Sequence, residues 1–168
     1  MNVKIKRLSD DAVIPKYAKA GDSGFDLVAT ENVFIEPGQS KKVPVGLAFE
    51  IEQGYELQIR PRSGITSKTK LRVQLGTVDS GYRGEVSVSV DNISHLNTGD
   101  LTKNIKGKLV DEYGLIDSDY GGCYIIKKGD RIAQGVIAPV IQATFEEAEE
   151  LSESERGAGG FGSTGVTV

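Results

Sequence analysis

Six consecutive residues, Glu85–Val90, alternate polar and apolar side chains. This alternation is typical of a β-strand that buries one face. The strand follows Asp79–Gly84, where an acid leads an aromatic residue set between glycines, which is the composition of a turn. We therefore predict a hairpin over Gly76–Val90 whose tip carries a carboxylate and an exposed tyrosine. Taken alone, the stretch also fits an ordinary turn with a surface aspartate.

Short apolar runs of the same kind recur along the chain between turn residues. Little of the sequence has helical periodicity, and an apolar content of 38% with 21 Gly and no Trp suits a turn-rich β domain with a Val, Ile and Leu core. With 168 residues, the chain is long enough for one domain, or for one domain and a tail. We predict strands at Val3–Arg7, after Phe25, and at Val33–Ile35, Lys41–Val45, Leu47–Ile51, Tyr55–Arg60, Leu71–Leu75, Tyr124–Lys127 and Arg131–Ile141, with hairpin turns at Glu52–Gly54 and Lys127–Asp130.

Charge and cysteine content limit the classes of partner. A net charge of −4 gives no long-range attraction to nucleic acid or to an anionic membrane, so an anionic ligand requires a local Arg/Lys cluster. The one cysteine, Cys123, excludes an internal disulfide and fits a reducing cytosol. Met1–Leu8 lacks the apolar run of a signal peptide, and no stretch reaches membrane-spanning length. We expect a cytoplasmic protein, and the single His95 argues against a His-based metal site or triad.

Two segments in the first half carry ligand-binding chemistry. In Ala20–Ala29, two glycines and two acids precede an apolar strand, so Asp26 could lie near a metal or phosphate, or the segment is a loop entering a strand. In Arg60–Lys68, Pro61 stops a strand and Ser63 could cap a short helix. Arg62, the Ser63 hydroxyl and the free N–H groups of the helix start would form a phosphate cradle, with a bare cap as the alternative.

The second half contains two further candidates. Gln134 interrupts an apolar run, so its side chain either faces a ligand or satisfies backbone groups. Thr144–Glu155 holds six Glu and predicts a solvated linker. Arg156–Gly165 has five glycines in ten residues, so we expect it to be mobile when empty. A tail without function is one interpretation, and an arm that closes over a base and a polyphosphate is the other.

Five segments now stand in one order along the chain: AGDSGFDL, PRSG, GTVDSGYRGEV, KKGDRIAQ and RGAGGFGSTG. They closely resemble the motifs of the homotrimeric dUTPases, the deoxyuridine triphosphate nucleotidohydrolases, and the match spans nearly the whole chain except about 94–122. The resemblance implies an all-β, distorted jelly-roll β-barrel that forms a homotrimer with shared active sites and a swapped C-terminal arm. It divides the chain into a domain at 1–145, with an insertion at 94–122, and an arm at 146–168. The insertion makes the chain look most like the dUTPases of staphylococcal bacteriophages, which would place it in a bacterial host cytoplasm.

The resemblance also implies a role for each matched residue. Asp79 would deprotonate the attacking water, and Asp26 would hold Mg²⁺ through water. Tyr82 would pack on the deoxyribose and leave no room for a 2′-hydroxyl, while the main chain of the hairpin from Gly76 would read uracil. The phosphate-binding residues would be Arg62, Ser63 and Gly64 from another subunit, with Gln134 beside the α-phosphate. The third subunit would supply the arm residues Arg156, Phe161, Gly162, Ser163 and Thr164, with Phe161 stacked on uracil.

These residue types suit the reaction that the resemblance implies. A triphosphate carries about four negative charges, so a metal and arginines are needed to admit a nucleophile. Water is a poor nucleophile, and a positioned carboxylate such as Asp79 is its natural base. Attack at the α-phosphorus would release dUMP and pyrophosphate and so keep uracil out of DNA. A dCTP deaminase of the same fold and a non-catalytic regulatory binding protein are the alternatives.

Two details depart from a simple match. Gly114–Gly121 looks like a second copy of the hairpin motif, but Asp117 lies 14 positions before Arg131, too few for the strand and return between the third and fourth motifs, so Asp79 is the predicted base. Val73 stands where many dUTPases carry Asn, which would leave that contact with uracil to the backbone alone.

The insertion predicts a second binding function. Residues 94–122 carry Tyr113 and Tyr120 among charges of both signs, a mixture that suits a protein-binding surface. Staphylococcal phage dUTPases bind and inactivate the repressor of mobile pathogenicity islands. The resemblance therefore implies a repressor partner, held by the insertion and by the active-site face, and a tolerated insertion without a partner is the alternative.

Overall fold

The computed structural model describes residues 1–95, 103–106 and 122–160. Strands dominate these ranges, and none of their helical residues forms a helix long and apolar enough to cross a membrane. In chain order, the elements are β1 (Lys4–Arg7), β2 (Phe25–Val28), β3 (Val33–Ile35), β4 (Ser40–Pro44), β5 (Leu47–Glu50), β6 (Tyr55–Pro61), α1 (Ser63–Lys68), β7 (Leu71–Val73), β8 (Gly76–Val78), β9 (Ser87–Asn92), β10 (Lys103–Asn104), β11 (Tyr124–Ile126) and β12 (Arg131–Pro139).

The strands form four small sheets around one core. Their orders are β1-β5, β10-β11-β3, β2-β12-β6-β8 and β4-β9-β7, and every pairing except the parallel β10–β11 pair is antiparallel. Short antiparallel strands in sheets that enclose a common interior are the jelly-roll arrangement, because each sheet can bury only one face. The predicted all-β class is confirmed, and each predicted strand is present within about two residues of its expected bounds.

Aliphatic side chains fill the interior, as the composition predicts. The alternation in β9 puts Val88 and Val90 in the core at 0% and 1% exposure, while Ser87, Ser89 and Asp91 face outward. Two aromatic rings join this core, those of Phe25 and Phe49, which stack with centroids 6.2 Å apart. The largest fully buried side chains are Leu27, Ile35, Leu47, Leu57, Leu71, Ile126, Ile132, Val43, Val45, Val86, Val88 and Val90.

The predicted hairpins are wrong. β8 pairs with β6, whereas β9 pairs with β4 and β7, so the two arms of the predicted Gly76–Val90 hairpin belong to different sheets. The turns at Glu52–Gly54 and Lys127–Asp130 likewise join strands of different sheets. Alternation indicates which face of a strand is buried, but it does not identify the neighbouring strand. The turns therefore carry the chain from one layer to another.

Part of the insertion belongs to the core. Residues 96–102 and 107–121, including Tyr113, Asp117 and Tyr120, lie outside the described residues. Lys103–Asn104, however, pairs with β11, and the Ile105 side chain is 8% exposed within the core cluster. The buried Asn92 amide donates to the carbonyls of Ile35 at 3.0 Å and Gly122 at 2.8 Å, and so joins the two ends of the insertion to β3. The insertion is thus more than a surface spacer.

Candidate active site

A cavity of about 430 Å³ opens where the edge strand β8 meets β9. Within the described ranges β8 pairs only with β6, so the second edge of Gly76–Val78 presents its N–H and C=O groups to the cavity. A row of unpaired main-chain groups can read the edge of a planar base by hydrogen bonding. The lining residues are Lys42, Ile59, Gly76, Thr77, Val78, Asp79, Tyr82, Glu85, Val86, Ser87 and Ser89.

The turn after β8 carries the predicted carboxylate and aromatic ring. The Tyr82 N–H donates to the Asp79 carbonyl at 3.0 Å, which closes the turn, and both side chains are exposed at the cavity. The Tyr82 hydroxyl donates to the Glu85 carbonyl at 3.0 Å. The ring then lies over Gly84, where a Cβ atom would be 2.4 Å from the hydroxyl oxygen. A side chain at residue 84 would have to displace the ring, so Gly84 permits the position in which Tyr82 forms one wall of the cavity.

Besides Thr77, four polar residues of this cavity are absent from the predicted site. Lys42, Glu85, Ser87 and Ser89 line it, and Lys42 is the register partner of Ser89 across β4 and β9. The last three occupy the polar positions of the alternating strand, which the sequence suggests are merely solvent-facing. The alternating pattern predicts that these three side chains share one face of the strand. That face becomes a wall of the cavity only because β8, from another sheet, packs beside it.

A second cluster surrounds Asp26. Asp26 and Gln134 are register partners on β2 and β12, and Gln134 is the partner of Arg60 on β6. Register partners project from the same face of a sheet, so these side chains form one polar row. The Asp26 carboxylate lies 3.0 Å from the Arg62 Nε atom and 3.4 Å from an Arg131 guanidinium nitrogen, with its side chain 22% exposed. This cluster joins a carboxylate, an amide and two arginines.

Arg62 is held at the end of β6, immediately before α1. Its guanidinium also donates to the Arg131 carbonyl at 2.9 Å, and its own carbonyl accepts the first helical N–H groups, those of Ile65 and Thr66. The predicted cap is therefore displaced by one residue: Arg62 occupies the N-cap position without a side-chain cap bond, and Ser63 is the first helical residue. Pro61 is the last residue of β6, in agreement with the prediction that it stops a strand, and Ser63 and Gly64 are exposed beside Arg62.

Within one chain the two clusters are far apart. Asp26 lies on the first strand of the order β2-β12-β6-β8 and Asp79 follows the last, a separation of about 14 Å at ordinary strand spacing. Across the sheet, Asp26 is aligned with Arg60 of β6 through their common partner Gln134. Asp79 follows Val78, which is aligned with Leu57 of β6, so Asp26 and Asp79 are also offset by about 14 Å along the strand direction. At these ordinary spacings, the backbone positions of Asp26 and Asp79 are about 20 Å apart.

The described part of the C-terminal arm, residues 146–160, meets neither cluster. Residues 141–158 are exposed throughout, with the Ile141, Phe145 and Leu151 side chains 95%, 96% and 89% exposed. The Arg156 Nε atom donates to the Gly159 carbonyl at 3.0 Å, a bond within the arm itself. The predicted arm residues Phe161, Gly162, Ser163 and Thr164 lie outside the described residues. Val73, by contrast, is 8% exposed in the core, so its side chain does not line the cavity.

The acidic residues that the structure describes do not form a dedicated metal cage. In the described part of the chain, no group of three or more His, Cys, Asp or Glu side chains could hold a metal ion. A single carboxylate beside an amide, as at Asp26 and Gln134, fits Mg²⁺ that keeps most of its waters and is held mainly by substrate phosphates. The donor set therefore suits a metal that arrives with a polyphosphate.

Comparison with known proteins gives one consistent family. The dUTPase family model matches residues 10–101 and 98–165. The deoxyuridine 5′-triphosphate nucleotidohydrolase of Nautilia profundicola is 48% identical over 167 residues, which cover 98% of this chain and 99% of that protein. The enzyme of the same name from Helicobacter pylori strain 26695 is 41% identical over 169 residues, covering 99% of both.

Solved structures agree with the sequence comparison. The Staphylococcus bacteriophage 80alpha dUTPase in complex with dUPNHPP matches the fold with a TM-score of 0.90 and 34% identity, over 98% of this chain and 99% of that one. The dUTPase of the S. aureus phage phi11 matches with a TM-score of 0.81 and 30% identity, over 92% of this chain and 100% of that one. The bacterial enzymes align over the same full length, so a chain of this length is not confined to phage proteins. From the full-length match of sequence and fold, the chain belongs to the dUTPase family, the deoxyuridine 5′-triphosphate nucleotidohydrolases.

Proposed function

We propose that this dUTPase hydrolyses dUTP to dUMP and pyrophosphate in active sites that three subunits share, with Asp79 as the general base. The supporting observation is the strand order and register, which put Asp79 and the Asp26 cluster at opposite edges of one sheet, about 20 Å apart at ordinary spacings. A base and a metal-bound phosphate must meet at one phosphorus atom. If the base and the phosphates are to converge, the Asp79 cavity of one subunit must face the Asp26 cluster, which includes Arg62, of another.

The cavity at β8 would select the nucleoside. The free edge of Gly76–Val78 offers main-chain donors and acceptors to uracil, and the Tyr82 ring forms the wall against which deoxyribose packs. A ring fixed by its bond to the Glu85 carbonyl would exclude a 2′-hydroxyl by steric contact. Asp79 at the mouth of the cavity would then accept the proton of a water that attacks the α-phosphorus.

The cluster around Asp26 would receive the phosphates. Mg²⁺, when bound, would neutralise the triphosphate and help to polarise the α-phosphate. Asp26 and Gln134 would hold its water ligands, while Arg62, Ser63 and Gly64 contact phosphate oxygens. In the free protein the Arg62 guanidinium lies 3.0 Å from the Asp26 carboxylate and neutralises it. When metal and nucleotide bind, Asp26 would face the metal and Arg62 a phosphate, so two ion pairs would replace one. That exchange avoids leaving either charge unpaired in the closed site.

The arm would complete the site of a neighbouring subunit. Ile141, Ala143 and Phe145 alternate with polar residues in a strand pattern, yet all are exposed and none lies in a sheet in one chain. Exposed large apolar residues in a strand pattern indicate a surface on another copy. Docking there would bring Arg156 and the Phe161–Thr164 segment to the bound nucleotide, with Arg156 exchanging its Gly159 bond for a phosphate.

A pyrophosphate-release assay with dUTP, dCTP, UTP and dTTP tests this proposal. Hydrolysis of dUTP alone, dependent on Mg²⁺ and without release of ammonia from dCTP, is the expected result. Ammonia release would favour the deaminase alternative, and tight dUTP binding without turnover would favour a regulatory binding protein. The family match favours hydrolysis over both.

Two variants test the assigned roles. Asp79→Asn keeps the side-chain shape but removes the proton acceptor, so it should bind dUTP and lose about 10²–10⁴-fold in turnover. Asp117→Asn is the matched control and should be nearly silent. A chain cut before Arg156 should still form trimers but lose turnover, and mixing it with Asp79→Asn subunits should restore part of the activity. No recovery on mixing would contradict sharing of the arm between subunits.

We propose a second function, the binding of a pathogenicity-island repressor, on narrower grounds. The 80alpha enzyme, 34% identical to this chain, is described as one of the phage dUTPases that control transfer of virulence genes. The binding surface would be residues 94–122 with the active-site face. Because Ile105 and Gly122 support the fold, the test variant replaces only 107–121 by a Gly-Ser link. It should retain dUTP hydrolysis within severalfold and bind the repressor more weakly, and unchanged affinity in a titration would exclude the insertion.

A further inference from the structure

Glu85 lines the cavity but has no role in the reaction described above. Its carboxylate accepts the Gly46 N–H at 2.9 Å, in the turn between β4 and β5. Its main-chain carbonyl accepts the Tyr82 hydroxyl at 3.0 Å. One residue therefore bonds both the aromatic wall of the cavity and the body of the domain.

The loop before Glu85 is held together mainly by internal bonds. The Tyr82 N–H bonds the Asp79 carbonyl at 3.0 Å, and the Arg83 guanidinium donates to the carbonyls of Ser80 at 2.6 Å and Tyr82 at 2.9 Å. These bonds fix the shape of the loop but not its position on the domain. The Asp79 end of the loop is held by β8, which pairs with β6, whereas the position of the Tyr82 end depends on the link that follows, where the Glu85 carboxylate is the side-chain contact.

Gly46 is a rigid attachment point. It is buried, and a Cβ atom there would lie 2.9 Å from the Ala12 Cβ atom, 2.9 Å from the Thr30 Cγ2 atom and 3.0 Å from the Ser9 Cβ atom. Close packing on this scale leaves the main chain little freedom to shift. The next residue of the loop is also fixed, because the Val86 N–H donates to the Leu47 carbonyl at 2.9 Å. Glu85 thus joins the loop to a closely packed part of the domain.

We propose that Glu85 is a positioning residue that sets the preference for deoxyribose over ribose by fixing Tyr82. This inference rests on the proposed packing of deoxyribose against the Tyr82 ring. Rejection of a 2′-hydroxyl by steric contact requires a wall that cannot retreat by the size of one oxygen atom. Loss of the bond to Gly46 would release the Tyr82 end of the loop, so that the Tyr82 ring yields to ribose and packs less well on deoxyribose.

The test compares Glu85→Ala, Glu85→Asp and Glu85→Gln by pyrophosphate release from dUTP and UTP. A hydrogen bond to a charged acceptor, such as the one from the Gly46 N–H to the Glu85 carboxylate, is stronger than one between neutral groups. Glu85→Ala should therefore raise KM for dUTP about tenfold. It should also lower the dUTP/UTP ratio of kcat/KM about tenfold. The kcat for dUTP should stay within about threefold, because Asp79 directly follows β8, whose pairing with β6 does not depend on Glu85. Glu85→Asp retracts the carboxylate from Gly46 and should behave like Glu85→Ala.

Glu85→Gln separates the hydrogen bond from the charge. Its amide oxygen can still accept the Gly46 N–H, so this variant should keep the dUTP/UTP ratio within about threefold of the wild type. Glu52→Ala, a change in an exposed turn between β5 and β6, is the matched surface control. Melting temperatures of all variants identify a loss that comes only from unfolding.

The outcomes separate this inference from the proposed function. A wild-type enzyme that hydrolyses dUTP and UTP equally would overturn the proposed role of Tyr82 itself. A selective wild type with an unchanged ratio in both Glu85→Ala and Glu85→Asp would overturn only the role of Glu85. Equal loss in Glu85→Gln would show that charge, rather than the bond to Gly46, carries the effect and would also refute the proposal. If Glu85→Ala does not fold, Glu85→Asp decides.

Discussion

Replacement of Gly135 by alanine should destabilise the fold, although glycine is normally a poor strand residue. Gly135 lies in β12 beside Phe25 of β2, and a Cβ atom there would lie 2.4 Å from the Phe25 Cε2 atom and 2.9 Å from the Leu57 Cδ1 atom. Alanine in a strand interior gains about 0.5–1 kcal/mol over glycine. Overpacking costs about 1–3 kcal/mol, and the upper value applies because both neighbours are buried. The expected net loss is about 2 kcal/mol.

That loss should be measurable by thermal unfolding. For a chain of this size, about 2 kcal/mol lowers the melting temperature by roughly 4–8 °C. Gly64→Ala is the control, because nothing lies within 4 Å of the added Cβ atom, and it should leave the melting temperature unchanged or slightly raised. All variants must be compared at one protein concentration, since association shifts apparent stability.

A second substitution tests the cause. Phe25→Leu removes the ring edge that meets the new methyl group, so the variant carrying both Phe25→Leu and Gly135→Ala should lose less stability than the sum of the two single changes. A coupling of about 1–2 kcal/mol is expected for residues in direct contact. Strict additivity, or a wild-type melting temperature for Gly135→Ala, would refute the argument from close approach. Because Phe25 and Gly135 neighbour Asp26 and Gln134, dUTP turnover should fall with the single change and recover with the pair.

Three further predictions concern the metal, the insertion and the thiol. Asp26→Asn should raise the Mg²⁺ concentration for half-maximal dUTP hydrolysis about 10–100-fold, measured by titration, because it removes the carboxylate proposed to hold the metal waters; an unchanged requirement would contradict that role. Ile105→Ala should cost about 2–3 kcal/mol in urea unfolding, because the side chain is 8% exposed in the core, and no loss would show that the insertion contributes nothing to stability. Burial, and to a lesser extent the Glu36 carboxylate, raise the pKa of the Cys123 thiol, so a thiol reagent should react far more slowly with the folded protein than in denaturant. Since the unfolded chain loses that proton at lower pH, folding stability should fall as the pH rises above about 8.5, and a flat profile there would argue against this contribution.

The sequence determined the strands, the buried side of each and the chemical classes of the site. Alternation in Glu85–Val90 was enough to place Val88 and Val90 in the core, because a strand turns successive side chains to opposite faces. The motif residues around Asp26, Arg62, Asp79 and Tyr82 were also identifiable from residue type and order alone. The strands and their buried faces depend on neighbouring residues, and the site residues lie in short motifs, so both can be found without knowing which strands pair.

Tertiary structure decided which strands pair and which motif residues meet. Glu85 contacts Gly46, and Asp26 lies beside Gln134, because distant strands pack or pair, and no local pattern specifies that register. The predicted hairpin failed for the same reason, since β8 and β9 bury faces in different sheets. The cavity exists only where those two sheets meet, so Lys42, Ser87 and Ser89 acquired a place in it that their sequence context does not predict. Local alternation fixes the face that a strand buries, whereas the closure of the layers around one core fixes its neighbours.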